Sequence, residues 1–151
     1  MNIVCVSNGY GEDHIACKLI QALEKTGPHH IKVLPLVGDG TPYITQGLTP
    51  LVTQPMFPSG GFIRSLTTLL NDLKAGLWRH FRNQQHVLRQ ETANADIVLA
   101  VGDIFCLWMA HTRHCPVYFL PTAKSDRFMP HSAIERWLMK RWATHVFPRD
   151  Q

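Results

Sequence analysis

The stretch Ile3-Val4-Cys5-Val6-Ser7-Asn8-Gly9-Tyr10-Gly11-Glu12-Asp13 sets the architecture of the chain. Ile3 to Val6 is a short β-branched and apolar run at the very start, which reads as a buried strand. Asn8, Gly9, Tyr10 and Gly11 punctuate it. From about Asp13 to Lys25, Ile15, Leu19, Ile20 and Leu23 recur at helical spacing, and Gly27-Pro28 stops that helix. Ile31 to Val37 is a second strand. Strand, loop, helix and strand in this order form a βαβ unit. Such a unit predicts an α/β fold: a doubly wound, mostly parallel sheet flanked by helices on both faces.

Working outward, residues 38–61 are rich in Gly, Pro and Thr. They predict an irregular connection with one short strand near Leu51 and Val52. A connection of that length usually serves as a lid or binding loop. A long helical stretch follows from about Phe62 to Glu91, with Gly76 placed to break it in two. Ile97 to Val101 is the clearest central strand. Phe105 to His111 reads as a short helix, Val117 to Leu120 as a strand, Ser132 to Arg141 as a helix and Thr144 to Phe147 as the last strand. Five or six strands result, within one domain spanning 1–151. The end at Gln151, directly after a strand, is expected of a chain whose second domain is absent, as in a truncated or split gene.

Composition narrows the function classes. The 151 residues are 45% hydrophobic and 17% charged, with 15 Lys plus Arg against 11 Asp plus Glu. A net charge of +4 suits an anionic ligand or an anionic lipid surface. No Lys/Arg-rich run interleaved with aromatics occurs, which argues against nucleic acid as a partner. Cys5, Cys17, Cys106 and Cys115 lie in or beside apolar segments without metal-like spacing, so buried free thiols are expected. His29, His30, His80, His86, His111 and His114 show no metal spacing either, and no metal site is expected. The N-terminus lacks the layout of a signal peptide, and no apolar stretch is long enough to span a bilayer. A cytoplasmic protein is expected, with peripheral membrane contact open.

Ligands of open α/β sheets bind beyond the carboxyl ends of the strands, so the segments after each strand carry the candidates. The first is Ser7, Asn8, Gly9, Gly11, Glu12 and Asp13. Its glycines permit close backbone approach, and the helix that follows offers free N–H groups. Glu12 and Asp13 sit in that first turn, where they favour the helix dipole themselves and would repel a phosphate. The pattern is neither a dinucleotide fingerprint nor a P-loop. Its carboxylates suit sugar hydroxyls or an acceptor; the alternative is a plain strand-to-helix turn capped by Asp13. The second candidate is Gly102-Asp103, where Asp103 is either a general base or the cap of the next helix. The third is Thr122, Lys124, Ser125 and Asp126 with Arg127, either a ligand contact or a solvated loop. His14, at the same edge, is a candidate base or acceptor contact, or an exposed His. The stretch 62–90 either packs its apolar stripe on the sheet or meets a bilayer. In the second case Met56, Phe57, Phe62, Arg64, Trp78, Arg79 and Arg82 make the contact. Trp108, Trp137 and Trp142 are expected in the core or at a domain interface.

Several motifs together resemble the cyanobacterial lipid-A-disaccharide synthase-related family, a group of glycosyltransferases. They are Ser7-Asn8-Gly9-x-Gly11-Glu12-Asp13, Met56-x-Pro58-Ser59-Gly60-Gly61-Phe62, Val101-Gly102-Asp103, Thr122-Ala123-Lys124-Ser125-Asp126, Glu135-Arg136-Trp137-Leu138-Met139 and Phe147-Pro148-Arg149-Asp150. The resemblance runs over essentially the whole chain. It implies the N-terminal, Rossmann-like half of a glycosyltransferase B fold, binding the acceptor, with the C-terminal donor-binding domain supplied in cis or in trans. It implies inverting, metal-independent transfer from a nucleotide sugar, UDP-linked, to a lipid or glycolipid acceptor, with Asp103 as base and no tightly bound cofactor. The segment after Asp103, Ile104-Phe105-Cys106, departs from the apolar, proline-containing run of the synthase itself. Alternatives are a nucleotide-sugar epimerase-like enzyme and a non-catalytic binding module. The sequence leaves room for a homodimer, and little activity is expected of the chain alone.

Overall fold

The computed structural model of the chain describes residues 1–52, 76–112, 114–122 and 132–148. The expected contacts Met56, Phe57, Phe62, Arg64, Lys124, Ser125 and Asp126 lie outside the described residues. The elements run β1 (Asn2–Ser7), α1 (Tyr10–Glu24), β2 (His30–Pro35), α2 (Thr41–Thr45), α3 (Leu77–Thr92), β3 (Ile97–Gly102), α4 (Ile104–Ala110), β4 (Val117–Pro121), α5 (Ala133–Trp142) and β5 (His145–Val146). The strands form one sheet in the order β2-β1-β3-β4-β5, and every pairing is parallel. This is a doubly wound, Rossmann-like architecture.

The central strands β1 and β3 are covered on both faces, which is why Ile3–Val6 and Ile97–Val101 are unbroken apolar runs. Alternation along each strand divides the core in two. Val4, Val6, Val98, Ala100 and Phe119 face one layer, where α3 contributes Leu88, α4 Leu107 and α5 Met139. Ile3, Cys5, Leu99 and Val101 face the other, closed by Ala16, Cys17 and Ile20 of α1 and by Tyr43 of α2.

The helix ends follow local chemistry. Ser132 and Glu135 form a reciprocal capping box at the start of α5. Thr26 Oγ1 donates to the Leu23 carbonyl where α1 ends. Gly76, at φ 95°, starts α3, so the break expected at this glycine is the helix boundary. Buried Gln84 of α3 donates to the Pro35 and Leu36 carbonyls, both at 3.2 Å, and so clamps the C-terminal end of β2.

Two expectations need correction. Residues 38–61 are not wholly irregular where they are described, because α2 occupies Thr41–Thr45. That helix is too short to show a period. It is held by Pro42 in its first turn and by fully buried Tyr43. The short strand expected near Leu51 and Val52 is a single bridge from Pro50 to Val33. Of the three tryptophans expected in the core or at a domain interface, Trp142 packs against the core, while Trp108 and Trp137 are 44% and 63% exposed. No described helix is long and apolar enough to cross a membrane.

Candidate functional site

The strand order reverses between β1 and β3, and the crevice beyond their carboxyl ends is where such sheets receive ligands. Three post-strand segments meet there and are tied to one another. The Asn8 N–H donates to the Val101 carbonyl at 3.2 Å, and the Thr122 N–H donates to the Gly102 carbonyl at 2.7 Å. The Thr122 hydroxyl donates to Glu12 Oε1 at 3.2 Å, which links the first and third segments across the end of β3.

Gly102 makes this convergence possible. Its φ is 152°, and a Cβ there would stand 2.7 Å from Asn8 Cβ and 3.2 Å from Cys106 Cβ. Only glycine allows the β1 loop to lie against the end of β3. Gly9, with φ 144°, gives the β1 loop the same freedom, and a Cβ on it would meet Glu12 Oε2 at 3.9 Å. The Glu12 carboxylate is half-buried at the crevice, with Oε1 held by Thr122.

Ser7 and Asp13 sit beneath the loop. Ser7 is fully buried and Asp13 is 1% exposed. Ser7 Oγ donates to Asp13 Oδ1 at 2.5 Å and lies 2.6 Å from the Tyr43 hydroxyl. A serine hydroxyl has one proton, so with Asp13 ionised the order is Tyr43 to Ser7 to Asp13. Burial pushes the Asp13 carboxyl up to about 7, against the opposing pull of the Ser7 hydrogen bond. The network anchors the first turn of α1 to β1 and α2. Its side chains act from below, while Asn8 and Glu12 are partly exposed above. Tyr43 escapes a reading based on sequence because it lies in an aperiodic connection, 36 positions from its partner Ser7.

Asp103 caps α4: its Oδ1 accepts from the Phe105 and Cys106 N–H groups, both at 3.0 Å. The cap uses one carboxylate oxygen. Beside it, a cavity of about 10 Å³, room for roughly one water, is lined by Gly102, Asp103, Thr122 and Glu135 among others. Glu135 was not legible as a neighbour of Asp103, because its local signal is that of a capping box.

The α1 N-terminus has Gly9 as its N-cap and no side-chain cap, so Asp13 is not the capping residue considered from sequence. His14 does not join the crevice. It is exposed and about 200° around α1 from Glu12, and its ring meets that of Tyr10 edge-on at 4.9 Å. Trp78 is 64% exposed on α3, and Arg79 and Arg82 are exposed beside it. Cys5, Cys17, Cys106 and Cys115 are buried free thiols. Burial raises Cys5 to about 12 and Cys17 to about 11, which keeps both neutral. Among the described residues no three His, Cys, Asp or Glu side chains are grouped to hold a metal ion.

No protein-family model matches the sequence, and no curated protein matches it significantly. The chain is a small α/β domain with a parallel, Rossmann-like sheet flanked by helices.

Proposed function

We propose that this chain is the acceptor-side domain of an inverting, nucleotide-sugar-dependent glycosyltransferase acting on a lipid or glycolipid acceptor. The observation that supports this best is a pair of carboxylates at one sheet edge. Asp103 is held by the helix it caps, and Glu12 is held by Thr122. Two fixed carboxylates at a crevice suit a ligand rich in hydroxyls better than a phosphate, which both would repel.

In this reading an acceptor hydroxyl approaches the partly exposed Asp103 carboxylate from the crevice. The carboxylate oxygen not used in the cap takes the hydroxyl proton as the acceptor oxygen attacks the anomeric carbon. The bond from that carbon to the nucleoside diphosphate breaks, and the electron pair leaves with the diphosphate. Glu12 accepts hydrogen bonds from neighbouring hydroxyls and sets the pose. The diphosphate of a UDP-linked sugar is held by a second, donor-binding domain, in cis or in trans. The isolated chain then turns over little or no donor.

Asp103→Asn in the complete enzyme tests the base. Asn retains a capping oxygen, so the fold should persist, while turnover should fall by roughly 10²- to 10⁴-fold. Near-normal turnover with intact melting would sink the assignment. Glu12→Gln should raise the acceptor KM more than it lowers kcat. Robust transfer by the isolated chain would remove the division of labour between two domains.

A further inference from the structure

The two helical layers differ in charge. On one side, α1 exposes Glu24 and partly Glu12 against Lys18, with Lys25 at its C-cap and Asp13 buried. On the other, α3, α4 and α5 hold Arg79, Arg82, Arg89, Arg136, Lys140 and Arg141 against Glu91 and Glu135. Both of those acids are engaged: Glu91 pairs with Lys32 of β2, and Glu135 accepts the Ser132 N–H. The layer therefore carries a clear excess of positive charge.

The same layer exposes its bulkiest apolar side chains. Trp78, Trp137 and Ile134 are 64%, 63% and 71% exposed, and Trp108 is 44% exposed. The rings of Phe81 and Phe105 lie 5.1 Å apart and those of Phe105 and Trp108 5.7 Å apart, so an aromatic ladder joins α3 to α4. On α5, Ile134, Trp137 and Arg141 share one exposed stripe, while Met139 and Trp142 pack on the core. All four tryptophans of the chain lie on these three helices.

We propose that the outer surface of α3, α4 and α5 is a peripheral docking surface for an anionic lipid bilayer. Indoles reach the boundary between headgroups and acyl chains, where an amphipathic ring is favoured, and the guanidinium and ammonium groups meet anionic headgroups. Charge complementarity selects the bilayer. A second protein copy would bring the same cations against themselves, and α1 offers too few acids to answer them. This inference does not depend on the transferase reading, since it uses none of the crevice residues.

The full chain is titrated with vesicles of phosphatidylglycerol and phosphatidylcholine, and separately with phosphatidylcholine alone, following co-sedimentation and tryptophan emission. Binding and a blue shift are expected with the anionic vesicles, weakening as salt shortens the reach of the charges. The double variant Arg79→Gln/Arg82→Gln should lower the partition coefficient roughly tenfold. Trp108→Ser/Trp137→Ser should weaken binding and remove most of the blue shift. Circular dichroism melts verify that these exposed substitutions leave the fold intact. The proposal is overturned by absence of sedimentation with anionic vesicles at low salt, or by equal binding to neutral ones. It is equally overturned by unchanged binding of both variants, by self-association that shifts the emission without lipid, or by vesicle binding that disappears once nuclease removes residual nucleic acid.

Discussion

The loops after β1 and β3 occupy equivalent places at the sheet edge and solve the same problem in different ways. Each must turn a buried strand into a helix and leave polar groups at the crevice. The β3 loop does so locally: Asp103 caps α4 two and three residues on, and the cost is one carboxylate oxygen. The β1 loop has no side-chain cap. It is held from below by Ser7, Asp13 and Tyr43, the last from a different element. The lesson is that one sheet edge can carry a short-range carboxylate with a free oxygen beside a long-range one buried out of reach. The first suits proton transfer. The second supplies rigidity under Gly9 and Glu12.

The contrast can be broken most severely where the two loops touch. Gly102→Ala places a methyl group 2.7 Å from Asn8 Cβ on a backbone that favours glycine. It should destabilise the domain by about 2–5 kcal/mol, read by urea unfolding. A variant with wild-type stability would mean that the loops do not need this approach.

Next is the pH dependence of the buried carboxyl. Asp13 is raised in the fold to about 7. A raised carboxylate pKa means that the folded state binds the proton more tightly. Its contribution is therefore fully present below the unfolded value near 4 and lost as pH rises through about 7. Asp13→Asn should flatten the fall in unfolding free energy between pH 4 and 7, by on the order of 3 kcal/mol. Stability curves of the same slope for variant and wild type would show that Asp13 does not titrate in this window.

Asp103→Ala, in contrast, should cost only about 1 kcal/mol, the loss of one N-cap. A much larger loss would show that Asp103 belongs to a wider network like that of Asp13. The smallest effect belongs to Gly11→Ala. Gly11 lies within α1 with nothing near its Cβ position and no unusual φ. The substitution should stabilise the domain by roughly 0.5–1 kcal/mol. Destabilisation there would show that the first turn of α1 needs glycine for a reason beyond backbone geometry.

Much of the fold was legible because its signals are local. The apolar runs Ile3–Val6 and Ile97–Val101 name the two central strands, and Gly27-Pro28 and Gly76 mark helix boundaries. Asp103 as a helix cap was equally legible, since a cap and its partners lie within three residues. What was missed depends on distance along the chain. The helix α2 shows no period over five residues and is held by Tyr43 packing against β1 and α1. Which of the indoles at 108, 137 and 142 packs on the core was not legible, because hydrophobicity does not record which side of a short helix meets the sheet.

The sequence by itself determined the α/β class, the parallel sheet and the set of post-strand segments. Strand burial, helix period and the βαβ connection are written in neighbouring residues. Only the tertiary structure decided which carboxylates stand at the crevice. Glu12 and Asp13 are adjacent and chemically alike, yet one reaches Thr122 at the site and the other is buried against Ser7. Successive helical residues point about 100° apart, and the packing of α1 on the sheet alone chooses which of them faces water.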